Sequence, residues 1–113
     1  MIDFHLLALA CILIHEMDAI RCHEWRIFPG LSCLNDRVGQ AVFVLLHVPL
    51  FYWVLAQELS GSVSFRHGMD VFLLIHLGLH LLFLLHKRNE FRDALSWLFI
   101  VGAALFSGLS LLL

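Results

Sequence analysis

The sequence predicts an all-α protein, a transmembrane bundle of four helices that run up and down across the bilayer. Apolar residues make up 61% of the 113 residues, and the mean hydropathy is +0.90, well above the values usual for soluble domains. Long apolar runs recur along the chain, and one of them, residues 94–113, contains no charged residue. Short polar or glycine-containing segments separate the runs, which indicates helices joined by turns.

The first helix is expected over residues 3–26. It ends before "FPG" at residues 28–30, because proline and glycine stop a helix. A cleaved signal sequence ending near Cys11 is a poor alternative, since no Lys or Arg precedes the apolar run and Asp3 stands where positive charge is expected. The segment is therefore expected to stay in the protein as a helix.

Three further helices follow. The second is expected over residues 37–58, after the capping segment "LND" at residues 34–36, and the third over residues 68–88, after "SGS". The last helix covers residues 91–112, beyond the short connection "KRNEF". The chain thus forms a single integral membrane domain, residues 1–113.

Basic residues orient the bundle, because loops rich in Lys and Arg stay in the cytoplasm. Six of the seven basic side chains fall at one end of the helices: Arg21, Arg26, Arg37, Lys87, Arg88 and Arg92. Only Arg66 falls at the other end. Both termini are therefore expected outside the cytoplasm, in a multi-pass protein of the cytoplasmic membrane.

Charge and cysteine content argue against two other classes of protein. A net charge of -2 without a basic run gives no indication of nucleic-acid binding. The three cysteines, Cys11, Cys22 and Cys33, form no CxxC pair and are odd in number, so a disulfide framework is not expected. The lipid bilayer is the one partner that composition implies.

Ionisable residues recur at one depth of the predicted bundle. At about 1.5 Å per residue, His15 and Asp18 lie roughly 10 to 16 Å from the cytoplasmic end of the first helix. His47 lies about 15 Å into the second helix, and His76 and His80 lie about 10 to 17 Å into the third. Each neighbouring pair faces one side of its helix, at about 100° per residue. Five ionisable side chains from three helices therefore share one layer.

The energetic cost of this layer indicates a metal site. An Asp near the bilayer centre costs on the order of 3 kcal/mol if lipid surrounds it, so such residues turn inward and pair. Imidazole with one or two carboxylates is the ligand set of zinc or non-haem iron, and an HxxxH pair brings two nitrogens to one ion. We therefore predict a metal, zinc first, held by a set of five residues: His15, Asp18, His47, His76 and His80.

Two carboxylates are the catalytic candidates. Asp18 is expected to act as a ligand or general base, and Glu16 to support the site from a neighbouring face of the first helix. Zinc would activate a water molecule for attack on an ester or amide of a lipid-like substrate. Pro49 is expected to kink the second helix and open space for a ligand beside His47. A homo-oligomer is expected, because so small a chain leaves little protein to form the cleft.

Other polar and aromatic residues have simpler interpretations. Glu24 is expected at the cytoplasmic surface and Trp25 in the aromatic belt of the membrane interface. Glu58 and Asp70 are expected near the outer end, where they cap helices or contact Arg66. None of these residues is expected to take part in the chemistry.

The order of the motifs resembles that of a known family. "HEMDAIRCHEWRIFP" at residues 15–29, "HVPLF" at residues 47–51 and "IHLGLHLLFLLHKRNEF" at residues 75–91 are similar to a family of small bacterial integral membrane proteins known only as a domain of unknown function. The resemblance covers most of the chain. It implies four membrane helices in a bacterial inner membrane, and it implies no substrate.

In chemistry alone, the histidine set is similar to that of two groups of membrane enzymes. Intramembrane zinc hydrolases of the ceramidase and adiponectin-receptor type hold zinc with three histidines, although they have more helices than this chain. Membrane fatty-acid desaturases and hydroxylases use HxxHH boxes, which this sequence lacks. The similarity favours a zinc-dependent hydrolase over a di-iron oxygenase, and it concerns the ligands rather than ancestry.

Three alternatives to this hydrolase stay open. Histidines on facing helices can clamp haem b for electron transfer. The same residues can relay protons or carry a metal ion, although beyond His76 the way outward is mostly Leu, Phe and Ile. A purely structural polar network is the simplest alternative.

Overall fold

The computed structural model describes all 113 residues, which form an all-α protein with four α-helices. The helices are α1 (Phe4–Arg21), α2 (Asp36–Ser60), α3 (Val63–Phe83) and α4 (Ala94–Leu112). Two short 3₁₀ turns, Glu24–Arg26 and Leu31–Cys33, lie between α1 and α2. The predicted all-α class with four helices is confirmed.

Each helix begins after a side chain that accepts a hydrogen bond from the first turn. These N-cap residues are Asp3, Asn35, Ser62 and Asp93. Such caps satisfy backbone N–H groups that have no partner within the helix. Ser62 follows Gly61 directly, which explains why α3 begins at Val63 and not near residue 68 as predicted.

The end of α1 differs from the prediction. The helix stops at Arg21, and His23 adopts a left-handed backbone with φ of 54° and ψ of 49°. This conformation, uncommon for a residue with a side chain, turns the chain back toward the bundle. Glu24 and Trp25 consequently have exposed fractions of only 6% and 1%. The surface position expected for Glu24 is therefore wrong, and Trp25 packs in the protein interior.

Three of the helices pack closely, and α2 stands apart. α4 lies along both α1 and α3, whereas α2 mainly contacts the turns that precede it. One apolar cluster lies around these turns and consists of Ala19, Cys22, Trp25, Ile27, Phe43, Phe91 and Ile100. A second lies toward the other end of α1 and consists of Ala8, Leu9, Ile12, Val54, Leu73 and Ala103.

Two helices, α2 and α4, are long and apolar enough to cross a membrane. Large apolar side chains are exposed along the outer face of α2, among them Leu45, Val48, Trp53 and Leu55. An extensive exposed apolar surface is typical of a protein that contacts lipid or a partner. α1 and α3 are more polar, because they carry most of the buried histidines and carboxylates.

The contact between Trp25 and Gly39 of α2 generates a stability prediction. A Cβ atom at residue 39 would lie 2.7 Å from Cδ1 of Trp25, well inside the usual contact distance of carbon atoms. Gly39→Ala is therefore expected to lower the apparent melting temperature in detergent, although alanine favours a helix. Thermal unfolding followed by circular dichroism measures the shift.

Gly68→Ala in α3 is the matched control for this substitution. An added Cβ atom there meets no other atom within 4 Å, so its melting temperature should stay the same or rise. A similar decrease in both variants would contradict a specific contact between residue 39 and Trp25.

Candidate metal centre

Three histidines meet in the interior, where α1 faces α3. His15 comes from α1, and His76 and His80 come from α3. One nitrogen of each ring can be chosen so that all three lie within 4.8 Å of one another. The ring centroids are 4.5 to 4.8 Å apart. We call these three residues the histidine triad.

Helix geometry and a covering aromatic ring explain how the triad forms. His76 and His80 are four residues apart, which brings both rings to one face of α3. Phe91, in the connection before α4, covers the triad with ring centroids 5.4 Å from His15 and 4.7 Å from His80. All three histidines and Phe91 are buried. The triad is thus shielded from bulk water.

Five of the six ring nitrogens of the triad are buried without a hydrogen-bond partner. Both ring nitrogens of His15, both of His80 and Nδ1 of His76 are buried without a hydrogen bond. A buried polar group left unpaired costs on the order of 1 to 3 kcal/mol, and proteins pair nearly all such groups. Unpaired nitrogens that converge from two helices form a group that can hold a metal ion.

Glu24 is a carboxyl group beside the triad that sequence reasoning missed. Its Oε2 lies 3.9 Å from Nε2 of His15 and has no hydrogen-bond partner. Burial raises the pKa of Glu24 to about 8; the nearby Glu16 adds to the rise, whereas His47 opposes it. On a straight helix, residue 24 would lie about 180° around the axis from residue 15. Only the turn at His23 brings the two side chains together.

The structure does not bring His47 to the triad. Nδ1 of His47 donates to the backbone carbonyl of Phe43 at 2.6 Å, and Nε2 lies 2.5 Å from Oε2 of Glu16. Both ring nitrogens are therefore engaged. Glu16, which we predicted would support the site, connects α1 to α2 through this contact.

Asp18 also has other partners. Its Oδ1 accepts a hydrogen bond from Nε of Arg21 at 2.7 Å, and its Oδ2 accepts one from the hydroxyl of Ser96 at 2.5 Å. Arg21 continues to Asp93, the N-cap of α4, at 3.1 Å. These contacts join the end of α1 to the start of α4. The structure thus groups three of the five predicted metal ligands, and Asp18 and His47 lie outside that group.

A second buried histidine lies at the other end of α1. His5 lies 2.7 Å from Oδ1 of Asp70 through Nδ1 and 2.6 Å from Oε1 of Glu58 through Nε2. Arg66 lies 3.6 Å from Glu58, so the predicted contact between these two residues is confirmed. The apolar cluster that contains Leu73 separates this network from the triad. Every nitrogen of His5 has a partner, in contrast to the triad.

A cavity of about 330 Å³ opens beside the triad, between α1, α2 and α3. Of the 16 residues that line it, 12 are hydrophobic. The remaining four are Glu16, Glu24, His47 and His76. The cavity therefore lies beside His47, where we expected space, and α2 remains helical through Pro49. His76 belongs both to the cavity wall and to the triad.

Comparison with known proteins assigns the chain to one family. A family model described as a family of unknown function (DUF6713) matches residues 1–113. The chain belongs to this family. No curated protein and no solved structure matches it. The expected membership of a family of unknown function is confirmed, and the description of DUF6713 names no activity.

The contacts of Asp18 generate a prediction about its role. Asp18→Asn removes the charge that Arg21 and Ser96 contact, so the junction of α1 and α4 is expected to weaken. The melting temperature should fall, by roughly 4 to 8 °C for each kcal/mol lost in a chain of this size. The metal content of the purified protein should not change, because Asp18 lies outside the triad. Elemental analysis and thermal unfolding measure the two effects.

Ser96→Ala provides the matched control, since it removes a partner of Asp18 without touching the triad. It should lower the melting temperature in the same direction and also leave the metal content unchanged. Loss of metal in Asp18→Asn at an unchanged melting temperature would assign Asp18 to the metal site instead.

Proposed function

We propose that this protein is an integral membrane metalloprotein in which the histidine triad binds zinc, and that it hydrolyses a lipid-like substrate. The observation that carries the proposal is the convergence of three buried imidazoles with five unpaired ring nitrogens. Three protein ligands leave one position of tetrahedral zinc open, which is the pattern of catalytic rather than structural zinc sites.

The donor set favours zinc over the alternatives. Three neutral imidazoles suit zinc, whereas the common site of non-haem iron replaces one histidine with a carboxylate. Nitrogens bound to one tetrahedral zinc, with Zn–N bonds of about 2 Å, lie about 3.3 Å from one another. The ring nitrogens of the triad lie within 4.8 Å of one another, so zinc binding would bring them closer by at most about 1.5 Å. Haem would have to enter between rings whose centroids are 4.5 to 4.8 Å apart and already in contact.

The surrounding residues supply the other requirements of hydrolysis. When bound, zinc would activate water and polarise a carbonyl group. Glu24 lines the cavity, and its unpaired oxygen lies 3.9 Å from His15. We expect its ionised form to accept a proton from that water, and because burial raises the pKa of Glu24 to about 8, that form predominates only above neutral pH. Phe91 excludes bulk water from the triad, which strengthens electrostatic interactions there.

The carrier alternative has less support, because the polar residues do not form a continuous path. Along α3, Leu73 lies between Asp70 and His76 and is fully buried. It belongs to an apolar cluster that separates the His5 network from the triad. An ion that moved along the helices would have to cross this layer without a polar partner.

We also propose that all four helices cross the bacterial cytoplasmic membrane in alternating directions. The apolar length of α2 and α4 supports this arrangement. Contacts between helix ends support it too, since His5 of α1 meets Glu58 of α2 and Asp18 of α1 meets Ser96 of α4. A homo-oligomer is a further proposal, although the cavity takes its walls from a single chain.

The zinc proposal predicts that each member of the triad is needed for metal binding. His15→Ala, His76→Ala and His80→Ala should each reduce the affinity for zinc by at least about tenfold, because even residues that only support a ligand have effects of that size. Elemental analysis of detergent-purified protein after dialysis against buffered zinc measures the bound metal. The wild type should bind one zinc per chain and be colourless.

His67→Ala is the control for these variants, because His67 is exposed on α3 and far along the helix from the triad. It should retain all of the bound zinc. Wild-type zinc content in all three triad variants would refute the site. A strong Soret band that is present in the wild type and lost in the same variants would show that the triad binds haem instead of zinc.

The bias of basic residues predicts the orientation of the termini. A tag at either terminus should be digested by protease added to intact spheroplasts, because both ends are expected outside the cytoplasm. Immunoblotting of the tags measures digestion, and a tag in the connection between α3 and α4 should stay protected. Protection of both terminal tags would overturn the orientation.

A further inference from the structure

The cavity beside the triad has an apolar half and a polar half. On α1 its lining runs from Leu9 to Glu16, and on α3 it runs from Met69 to His76. The polar lining residues all occur in the half that lies near the turn after α1. The other half, which includes Leu9 and Val54, is entirely apolar.

The size of the cavity suits an extended alkyl chain. On α2 the lining runs from Phe43 to Val54, a distance of about 16 Å at 1.5 Å per residue. An extended chain with C–C bonds of about 1.5 Å advances about 1.3 Å per carbon, so roughly twelve carbons match this length. The volume of about 330 Å³ lies in the range of small-molecule sites.

The polar half contains an acceptor that has no donor. The side chain of Glu24 is 7% exposed, lines the cavity, and carries a buried oxygen without a hydrogen bond. Its neighbours Glu16 and His47 satisfy each other. A carboxyl oxygen accepts a hydrogen bond in either protonation state, and an unpaired buried acceptor is costly. A ligand that donates a hydrogen bond would give this oxygen the partner that the chain does not supply.

We propose that this cavity binds a long-chain fatty amide that extends along its length, with the alkyl end in the apolar half and its N–H group donating to Glu24. The inference rests on the proposed function for the reaction, and it names the substrate class. An ester of the same length has no N–H group to offer. A fatty acid that is ionised at neutral pH also has no hydrogen to donate to Glu24.

The reaction that follows is hydrolysis of the amide bond. The oxygen of a water molecule bonds to the carbonyl carbon beside His76, and the C–N bond breaks. Ionised Glu24 accepts a proton from the water and delivers it to the leaving nitrogen. The products are a fatty acid and an amine, and no oxidant or reductant is required.

Equilibrium binding tests the inference with two ligands of nearly equal shape. Radiolabelled N-methyldodecanamide and methyl dodecanoate are added to the full-length protein in lipid nanodiscs, with empty nanodiscs as the blank. The amide should bind saturably at one molecule per chain and about tenfold more tightly than the ester, the effect of one hydrogen bond to a buried acceptor. Equal binding of the two ligands would overturn the role of Glu24.

Substitutions at Glu24 test the same hydrogen bond from the protein side. Glu24→Leu should weaken binding of the amide about tenfold and leave binding of the ester unchanged. Glu24→Gln keeps an oxygen that accepts a hydrogen bond, so it should bind the amide within a few-fold of the wild type. Equal effects of Glu24→Leu on the two ligands would show that the residue is merely structural, and would contradict the proposal.

A matched pair of variants on α2 locates the ligand in the cavity. Leu50 lines the cavity, so Leu50→Trp should abolish saturable binding of both ligands. Leu45 is 66% exposed and does not line the cavity, so Leu45→Trp should bind like the wild type. Indistinguishable binding by the two variants would mean that the ligands enter only the bilayer or another surface, which would overturn the inference.

Zinc content of the same preparations distinguishes failure of this inference from failure of the proposed function. Selective amide binding to protein that binds no zinc would keep the ligand site and reject the metalloprotein. One zinc per chain without selective amide binding would keep the metalloprotein and reject the fatty amide as its ligand.

Discussion

At His23 the chain leaves the axis of α1, and the later contacts of the site depend on that change of direction. A left-handed backbone costs on the order of 1 to 2 kcal/mol for a residue with a side chain. Burial of a large apolar side chain contributes about 1.5 to 3 kcal/mol, so the buried ring of Trp25 can offset this cost. The same turn brings Glu24 to His15 and lets Arg26 pair with Asp36 at the start of α2.

The chain contains two buried histidine environments that differ in their hydrogen bonds. His5 lies between two carboxylates, each within hydrogen-bond distance of one ring nitrogen, and this network joins three helices. The triad is also buried, but five of its ring nitrogens have no hydrogen-bond partner, and the nearest carboxyl oxygen, Oε2 of Glu24, lies 3.9 Å from His15. Hydrogen bonds within the chain therefore accompany the burial of His5, whereas the triad is buried without them.

The sequence could predict those side chains of the site whose relative positions follow from regular helix geometry. His76 and His80 share a face of α3 because of their spacing, and His15, which was predicted to share their layer, contacts both of them. A shared layer does not determine which side chains face each other, and His47 contacts Glu16 instead of the triad. Helix rotation directs Asp18 to α4 instead of toward α3.

Glu24 was beyond prediction for a different reason. Its position follows from the backbone of His23, and the local sequence "RCHEW" contains no glycine, proline or asparagine to mark the end of a helix. The proline and glycine that we used as the stop signal occur several residues later, at Pro29 and Gly30. The four helices were predictable from apolar runs, whereas this turn depends on tertiary contacts of Trp25.

The attachment of α2 has a mechanical consequence. Its amino end is fixed where Asp36 meets Arg26, and its carboxyl end is fixed where Glu58 meets His5. Between these anchors the helix lies beside a cavity, and Pro49 removes one backbone hydrogen bond near mid-span. Because both ends of α2 are anchored, the helix is expected to bend most easily at Pro49, where a backbone hydrogen bond is absent. Flexure at Pro49 would change the width of the cavity while both anchors remain in place.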